Sequence, residues 1–191
     1  METFDTELVA RLRQGDREAF RIFVKDHQQQ VFYLALSLTG NKQDAEDLCQ
    51  EVFLRAFKAL ARFRGESKLS TWLHRITVNQ FLDHKRRKHM QTVSLSGSEN
   101  PGEDNMAEIR KLESASKTDE DAQRSELRHH IEQAMEQLTP RERSVFVLRH
   151  YQELPLREIG EMLEIAEGTV KALLYRAIRR MQKELAFYGG D

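Results

Sequence analysis

Hydrophobic residues recur at helical spacing in two stretches of this chain, and the pattern fails in the stretch between them. In the first stretch the apolar positions follow the i, i+3, i+4, i+7 spacing of an amphipathic helix over several turns. They are Ala45, Leu48, Cys49, Val52, Phe53, Ala56, Phe57 and Leu60. No segment sustains the two-residue period of a half-buried strand. The sequence therefore predicts an all-α fold.

The C-terminal stretch has the proportions of a helix-turn-helix. Thr139-Pro140-Arg141-Glu142 has the form of a capping box with proline in the first helical turn. A short helix over Pro155–Leu163, a three-residue connection and a basic helix over Glu167–Leu185 follow. The predicted buried positions are Ile159, Met162, Leu163, Val170, Leu174 and Ile178. The predicted outward positions of the second helix are Lys171, Tyr175, Arg176 and Arg179.

Residues 91–124 are rich in Ser, Asp, Glu and Asn and contain no aromatic residue. Such a composition buries too little surface to offset the entropy lost on ordering. We expect a flexible acidic linker with a transient helix at Met106–Ser114; an ordered surface loop is the alternative. The predicted organisation is two small helical domains, residues 1–90 and 125–191, joined by this linker.

The charges are unevenly distributed although the chain as a whole is nearly neutral, with a net charge of −1. Residues 63–90 contain seven basic and two acidic residues, and residues 168–184 contain five basic and one acidic residue. Two basic patches favour contact with phosphates. The run Lys85–Lys88 could instead only complement a helix dipole. Trp72 could stack on bases or belong to the core.

Motifs for catalysis are absent from the sequence. It has no glycine-rich phosphate loop, H-E-x-x-H or G-x-S-x-G motif, and its single cysteine excludes an internal disulfide. The carboxylates of Asp44, Glu46, Asp47 and Glu51 could suggest a metal site, but an exposed helix face favours a solvated or protein-binding surface. We expect a protein that is not an enzyme and uses no metal or cofactor.

The sequence also predicts a cytoplasmic location. The first residues are acidic and lack the apolar core of a signal peptide. The apolar stretch Val31–Gly40 is about half of the ~20 residues that a membrane-spanning helix needs. We therefore expect no direct membrane insertion.

Two long motifs resemble extracytoplasmic-function (ECF) sigma factors of bacterial RNA polymerase. The first combines D-A-E-D-x-x-Q-E-x-F, from Asp44, with F-R-G-x-S-x-x-x-T-W-L, from Phe63. The second is the segment LTPRERSVFVLRH and the helix-turn-helix that follows it. The resemblance covers nearly the whole chain outside the linker, in the family's order. It implies sigma domain 2 in residues 1–90 and sigma domain 4 in residues 125–191.

The resemblance also implies three groups of binding residues. The residues that match the helix binding core RNA polymerase are Asp44, Glu46, Asp47, Gln50, Glu51 and Arg55. Those that match the −10 region are Phe63, Arg64, Glu66, Ser67, Lys68, Trp72, Arg75, Asn79, Lys85, Arg86, Arg87 and Lys88. Those that match the −35 recognition helix are Thr169, Lys171, Ala172, Tyr175, Arg176 and Arg179. Ala172 departs from the polar residue common there, so the −35 sequence cannot be transferred.

Membership of the ECF sigma factor family would make the chain a transcription initiation factor that recognises −35 and −10 promoter elements and promotes DNA melting. The implied partners are core RNA polymerase, double-stranded promoter DNA, the melted −10 strand and a membrane-associated anti-sigma factor. The acidic linker is similar to the segment that threads the polymerase channel. A stand-alone helix-turn-helix regulator is one alternative, but it leaves the acidic face unexplained. A nucleic-acid enzyme with a carboxylate site is the other.

Overall fold

The computed structural model describes residues 3–63, 65, 67–94 and 119–186. Within those ranges every regular element is helical, so the predicted all-α class is confirmed. The chain divides into two compact units, Met1–Asp83 and His84–Asp191. The predicted domain limits at residues 90 and 125 stay a prediction. None of the described helices is long and apolar enough to cross a membrane.

The N-terminal unit is built from helices α1–α4, the last of which runs on past its limit at Asp83. Their bounds are Thr3–Arg13 (α1), Arg17–Thr39 (α2), Lys42–Ala59 (α3) and Leu69–Ser94 (α4), with a 3-10 turn at Leu60–Arg62. Asp16 caps α2 by accepting backbone N–H bonds from Glu18 and Ala19. Gly40 ends α2 with a φ of 86°, a left-handed conformation that glycine adopts without steric cost. Asn41 then caps α3 through the N–H of Asp44.

The core of the N-terminal unit lies mainly between α2 and α3. Phe23 is fully buried and makes an edge-on contact with Phe53, their ring centroids 6.2 Å apart. Leu73 and Val78 of α4 are also buried. The buried residues of α3 recur at helical spacing, so this helix buries one face and leaves the other for solvent or a partner.

Within the described residues, the C-terminal unit contains four further helices. They are α5 (Asp119–Glu136), α6 (Pro140–His150), α7 (Leu156–Leu163) and α8 (Glu167–Glu184). The predicted capping box of α6 is confirmed: the Thr139 hydroxyl accepts from the Glu142 N–H at 3.3 Å, and the Glu142 carboxylate accepts from the Thr139 N–H at 3.0 Å. The predicted helix-turn-helix is also present, as α7 and α8.

Gly160 allows the turn between α7 and α8 to close. A Cβ at this position would lie 2.8 Å from the carbonyl oxygen of Ile165. The chain then leaves α7 through Glu164, which has a φ of 57°. The tight connection predicted over residues 164–166 therefore depends on a close backbone approach that only glycine permits at residue 160.

The predicted apolar stripe of α8 was partly wrong. Val170 is buried as expected, but Leu174 and Ile178 are only half-buried. The buried positions of α8 are Val170, Leu173, Ala177 and Met181. The helix packs against α5, α6 and α7 together, so its buried face is centred on residues that contact all three. Leu163 of α7 is likewise half-buried rather than buried.

Both ends of the predicted linker are helical. Helix α4 continues to Ser94 and α5 begins at Asp119, so residues 91–94 and 119–124 are helical, and the limits of the linker stay a prediction. Residues 91–93 contain no helix breaker, and acidic residues such as Asp119 are favoured in the first turn of a helix. The remainder of the predicted linker, with the predicted helix at Met106–Ser114, lies outside the described residues.

His74 is a buried histidine in α4. Its side chain is 5% exposed, and neither imidazole nitrogen has a hydrogen-bond partner within the described residues. Burial, with a smaller contribution from His27, lowers the pKa of His74 from 6.5 to about 4. The folded protein therefore keeps His74 neutral at pH values where the unfolded chain protonates it.

The free energy of unfolding of the N-terminal unit should fall as the pH is lowered from 6.5 to about 4. In that window the unfolded chain binds a proton at His74 that the folded chain does not bind. The full effect is about 3 kcal/mol, at about 1.4 kcal/mol per pKa unit. Trp72 is the single tryptophan and lies in this unit, so urea unfolding followed by its fluorescence measures the change.

His74→Leu should remove this part of the pH dependence, while His84→Gln, at an exposed position of the same helix, should retain it. Other groups that titrate in the same window cancel when the variant is subtracted from the wild type. A His74→Leu variant with the wild-type slope between pH 4 and 6.5 would contradict the assignment.

Candidate nucleic-acid interface

The outward face of α8 carries all six residues that match the −35 recognition helix by resemblance. Each of them is exposed, and the Tyr175 side chain is 64% exposed. The opposite face contributes the buried residues that hold α8 in the unit. The six exposed residues of the outward face, which we call the α8 face, are Thr169, Lys171, Ala172, Tyr175, Arg176 and Arg179. A helix exposed in this way can enter the major groove of duplex DNA.

Lys171 is paired within α8. Its Nζ lies 2.8 Å from Oε1 of Glu167, one turn earlier. This hydrogen bond lowers the pKa of the Glu167 carboxyl. Both side chains are largely exposed, and an exposed pair of this kind contributes little to stability. Lys171 can therefore exchange Glu167 for a phosphate at small cost.

Arg176 forms an ion pair with a buried carboxylate. The Glu142 side chain is 3% exposed, and its Oε1 lies 3.4 Å from Nε of Arg176. Its Oε2 lies 3.5 Å from Nε of Arg180. Arg180 also donates a hydrogen bond from Nη1 to the carbonyl oxygen of Gln137, at 3.0 Å. Two arginines of α8 are thus held to the start of α6.

Sequence reasoning missed the roles of Glu142 and Arg180 at this site. It assigned Glu142 to the capping box alone and counted Arg180 only as part of a basic patch. The available signal was that Arg176 and Arg180 are four residues apart and so share a helix face. Their common partner lies on another helix, and periodicity does not identify a partner across such a distance.

The aromatic pair of the −10 segment is partly core. Phe63 is 7% exposed and packs against Trp72, with ring centroids 5.1 Å apart. The carbonyl oxygen of Phe63 accepts a hydrogen bond from Nε of Arg13 at 2.8 Å. Trp72 is half-buried, so one part of its ring packs inward and another part is accessible.

The structure places the remaining −10 residues on two elements. Ser67 and Lys68 are exposed just before α4, while Arg64 and Glu66 lie outside the described residues. On α4, Arg75 and Asn79 are exposed one turn apart. The basic run that follows is exposed at Arg86, Arg87 and Lys88 and half-buried at Lys85.

Helix α3 presents an exposed acidic face. Its residues Asp44, Glu46, Asp47, Gln50 and Glu51 are all exposed, and we call this group the α3 acidic face. Two of the acids are partly engaged, since Glu46 lies 3.8 Å from Lys42 and Asp44 accepts a hydrogen bond from Asn41. Leu54, 64% exposed, extends the surface with an apolar side chain.

Arg55, which the sequence groups with the polymerase-binding residues, also joins α3 to α4. Its Nη1 donates a hydrogen bond to Oε1 of Gln80, which is 7% exposed. The same nitrogen lies 3.9 Å from the carboxylate of Asp83. Arg55 is therefore positioned by α4, next to the helix that carries Arg75 and Asn79.

The acidic residues do not form a metal centre in the part of the chain that the structure describes. No group of three or more His, Cys, Asp or Glu side chains converges there as metal ligands. Cys49, on the same helix, is half-buried, and burial raises the pKa of its thiol.

The chain matches known proteins along nearly its whole length. Sigma-70 region 2 matches residues 23–90, and Sigma-70, region 4 matches residues 128–181. The ECF RNA polymerase sigma factor SigW of Bacillus subtilis is 33% identical over 186 residues, covering 97% of this chain and 98% of its own. The RNA polymerase sigma-H factor of Pseudomonas aeruginosa is 31% identical, with coverage of 95% and 93%.

Solved structures show the same fold. The sigma factor RpoE, in complex with the anti-sigma factor NepR from Bartonella quintana, gives a TM-score of 0.64 at 20% identity, covering 87% of this chain and 96% of that one. CnrH in complex with the cytosolic domain of CnrY gives 0.64 at 21% identity, with coverage of 95% and 97%. Together with the sequence matches to sigma-70 regions 2 and 4, these findings establish that the chain belongs to the ECF family of RNA polymerase sigma factors.

Proposed function

We propose that this protein binds core RNA polymerase and directs it to promoters by recognising −35 and −10 elements and promoting DNA melting. The observation that carries the proposal is the division of α8 into a buried face and the exposed α8 face. In this proposal the first residues of that face, Thr169, Lys171 and Ala172, meet base edges. In this proposal Arg179, late in the helix, meets a phosphate and sets register without reading sequence, while Arg176 reaches a base edge.

At the −10 element, the proposed role of Trp72 is to stack on an unpaired base. Taking a base out of the duplex costs a few kcal/mol. Stacking on an aromatic ring returns ~1–3 kcal/mol per base. Because Phe63 packs behind Trp72, it stiffens the tryptophan in this proposal rather than contacting DNA through its ring. Arg75, Asn79 and the basic run Lys85–Lys88 would follow the adjacent strand.

The α3 acidic face, with Arg55, is the proposed contact with core polymerase. Its exposed carboxylates suit a basic partner surface, and charge complementarity of this kind sets specificity and association rate. We further propose that the protein acts in the cytoplasm without catalysing a reaction itself. Control by a membrane-associated anti-sigma factor is supported by the two solved relatives, each in complex with an anti-sigma factor or a cytosolic domain.

Run-off transcription with core polymerase tests the proposal directly. Start sites are mapped across genomic DNA with core polymerase alone and with core polymerase plus this protein. We expect discrete start sites that appear only with the protein and share two sequence elements upstream. Equal start-site patterns with and without the protein would overturn the proposal.

Asp47→Ala should weaken binding to core polymerase, with Kd raised roughly tenfold, a typical loss for a central interface residue. Asp47 is exposed on the α3 acidic face, so its removal leaves the fold intact. Binding of fluorescently labelled protein to core polymerase measures the change. Asp26→Ala, which removes an exposed acid from α2, is the matched control and should bind like the wild type.

Arg179→Ala should weaken promoter binding by the holoenzyme with little change in sequence preference. Loss of one phosphate contact lowers the log–log salt slope by about 0.9. Filter binding at several salt concentrations measures the slope, and Lys25→Ala on α2 serves as the control. Arg176→Ala is less informative, because it also leaves the buried Glu142 with one partner fewer. A wild-type salt slope in Arg179→Ala would remove this residue from the DNA contact.

A further inference from the structure

We infer that Glu142 is a positioning residue for −35 recognition, because it fixes the guanidinium of Arg176 in the orientation in which that side chain meets DNA. The inference rests on the proposed function. Glu142 lies beneath α8 rather than on the α8 face, and neither its exposure nor its place in the sequence identifies it as part of a DNA-binding site.

The first argument is the burial of the charge. Glu142 is the single buried acidic residue among the residues whose burial the structure describes. A buried carboxylate is costly unless it is paired and hydrogen-bonded. The structure supplies the Thr139 N–H and two guanidinium groups. The positions of Arg176 and Arg180 are therefore constrained by a group that cannot turn to solvent.

The second argument is the difference between the two arginines. Arg180 also donates a hydrogen bond to the carbonyl oxygen of Gln137, so it is tied both to the start of α6 and to the connection that precedes it. Arg176 approaches Glu142 through Nε, at 3.4 Å, and its side chain remains 57% exposed. A guanidinium has five N–H donors, so binding through Nε leaves the two terminal NH₂ groups for a base or a phosphate.

The third argument is entropic. A long exposed arginine must lose rotamer freedom when it binds, and prior orientation reduces that loss. Orientation also decides whether the fork of the guanidinium matches one base edge better than another. A negative charge alone would instead lower the affinity of α8 for all DNA equally. The two effects therefore differ in whether the sequence preference changes.

The test compares Glu142→Gln with the wild type in reconstituted holoenzyme. Glutamine at this position can still form the capping box, but it removes the charge that holds Arg176. Run-off transcription is measured on a mapped promoter and on the same promoter with its −35 element replaced. The ratio of the two signals is the −35 preference.

Two controls accompany this variant. Glu161→Gln removes an equal charge, together with an arginine pair, from the exposed surface of α7. Thr139→Ala weakens the same cap while the Glu142 carboxylate stays in place. Thermal unfolding by circular dichroism shows whether each variant is folded.

We expect the −35 preference to fall at least about fivefold in Glu142→Gln, the lower end for loss of one oriented arginine contact. The two controls should keep the wild-type preference. An unchanged or raised preference in Glu142→Gln would overturn the inference, and so would an equal loss in Thr139→Ala. If Glu142→Gln does not fold, Glu142→Asp keeps the charge but shortens its reach, and the same loss is expected.

The same experiments distinguish a failure of the proposed function from a failure of this inference. If the wild-type protein gives no start-site selectivity over core polymerase alone, the proposed function is overturned. If the wild type is selective and Glu142→Gln and Glu142→Asp are equally selective, the role of Glu142 is overturned while the function stands.

Discussion

Each helix in this protein can bury only one of its faces, and this limit determines where its exposed charged and polar surfaces lie. A unit of three or four short helices has room for one apolar layer, so the opposite faces of α3 and α8 remain exposed. On α8 the buried positions Val170 and Leu173 alternate with the exposed positions Lys171 and Ala172. Packing the core therefore sets the direction of every residue on the α8 face.

The net charge of the whole chain, which is close to zero, does not reveal its local acidic and basic surfaces. The acidic residues of α3 and the basic residues of α4 and α8 lie on different helices. Exposed charges further apart than about 8 Å are largely screened at physiological salt. A partner therefore responds mainly to the charges near the surface that it contacts. For this reason a chain with a net charge of −1 can carry basic surfaces suited to DNA.

The elements and the capping box were predictable because they depend on local spacing. Thr139 and Glu142 are three residues apart, and their hydrogen bonds follow from that separation. The anchoring of Arg176 was not predictable, because its partner lies on a different helix. The same limit explains the error in the stripe of α8, since periodicity identifies a helix face but not which of three neighbours it contacts. Phe63 shows a further case, because the motif that contains it does not distinguish a buried ring from an exposed one.

Two of the exposed surfaces are supported by buried polar groups rather than by apolar packing alone. Gln80 is 7% exposed and accepts a hydrogen bond from Arg55. Glu142 is 2% exposed and forms an ion pair with Arg176. An apolar support would let a long arginine sample many rotamers, whereas a buried acceptor selects those that reach it. Burying such a group is costly, and the arginine offsets part of that cost while it stays in place. The orientation of each arginine is therefore coupled to the stability of its own unit.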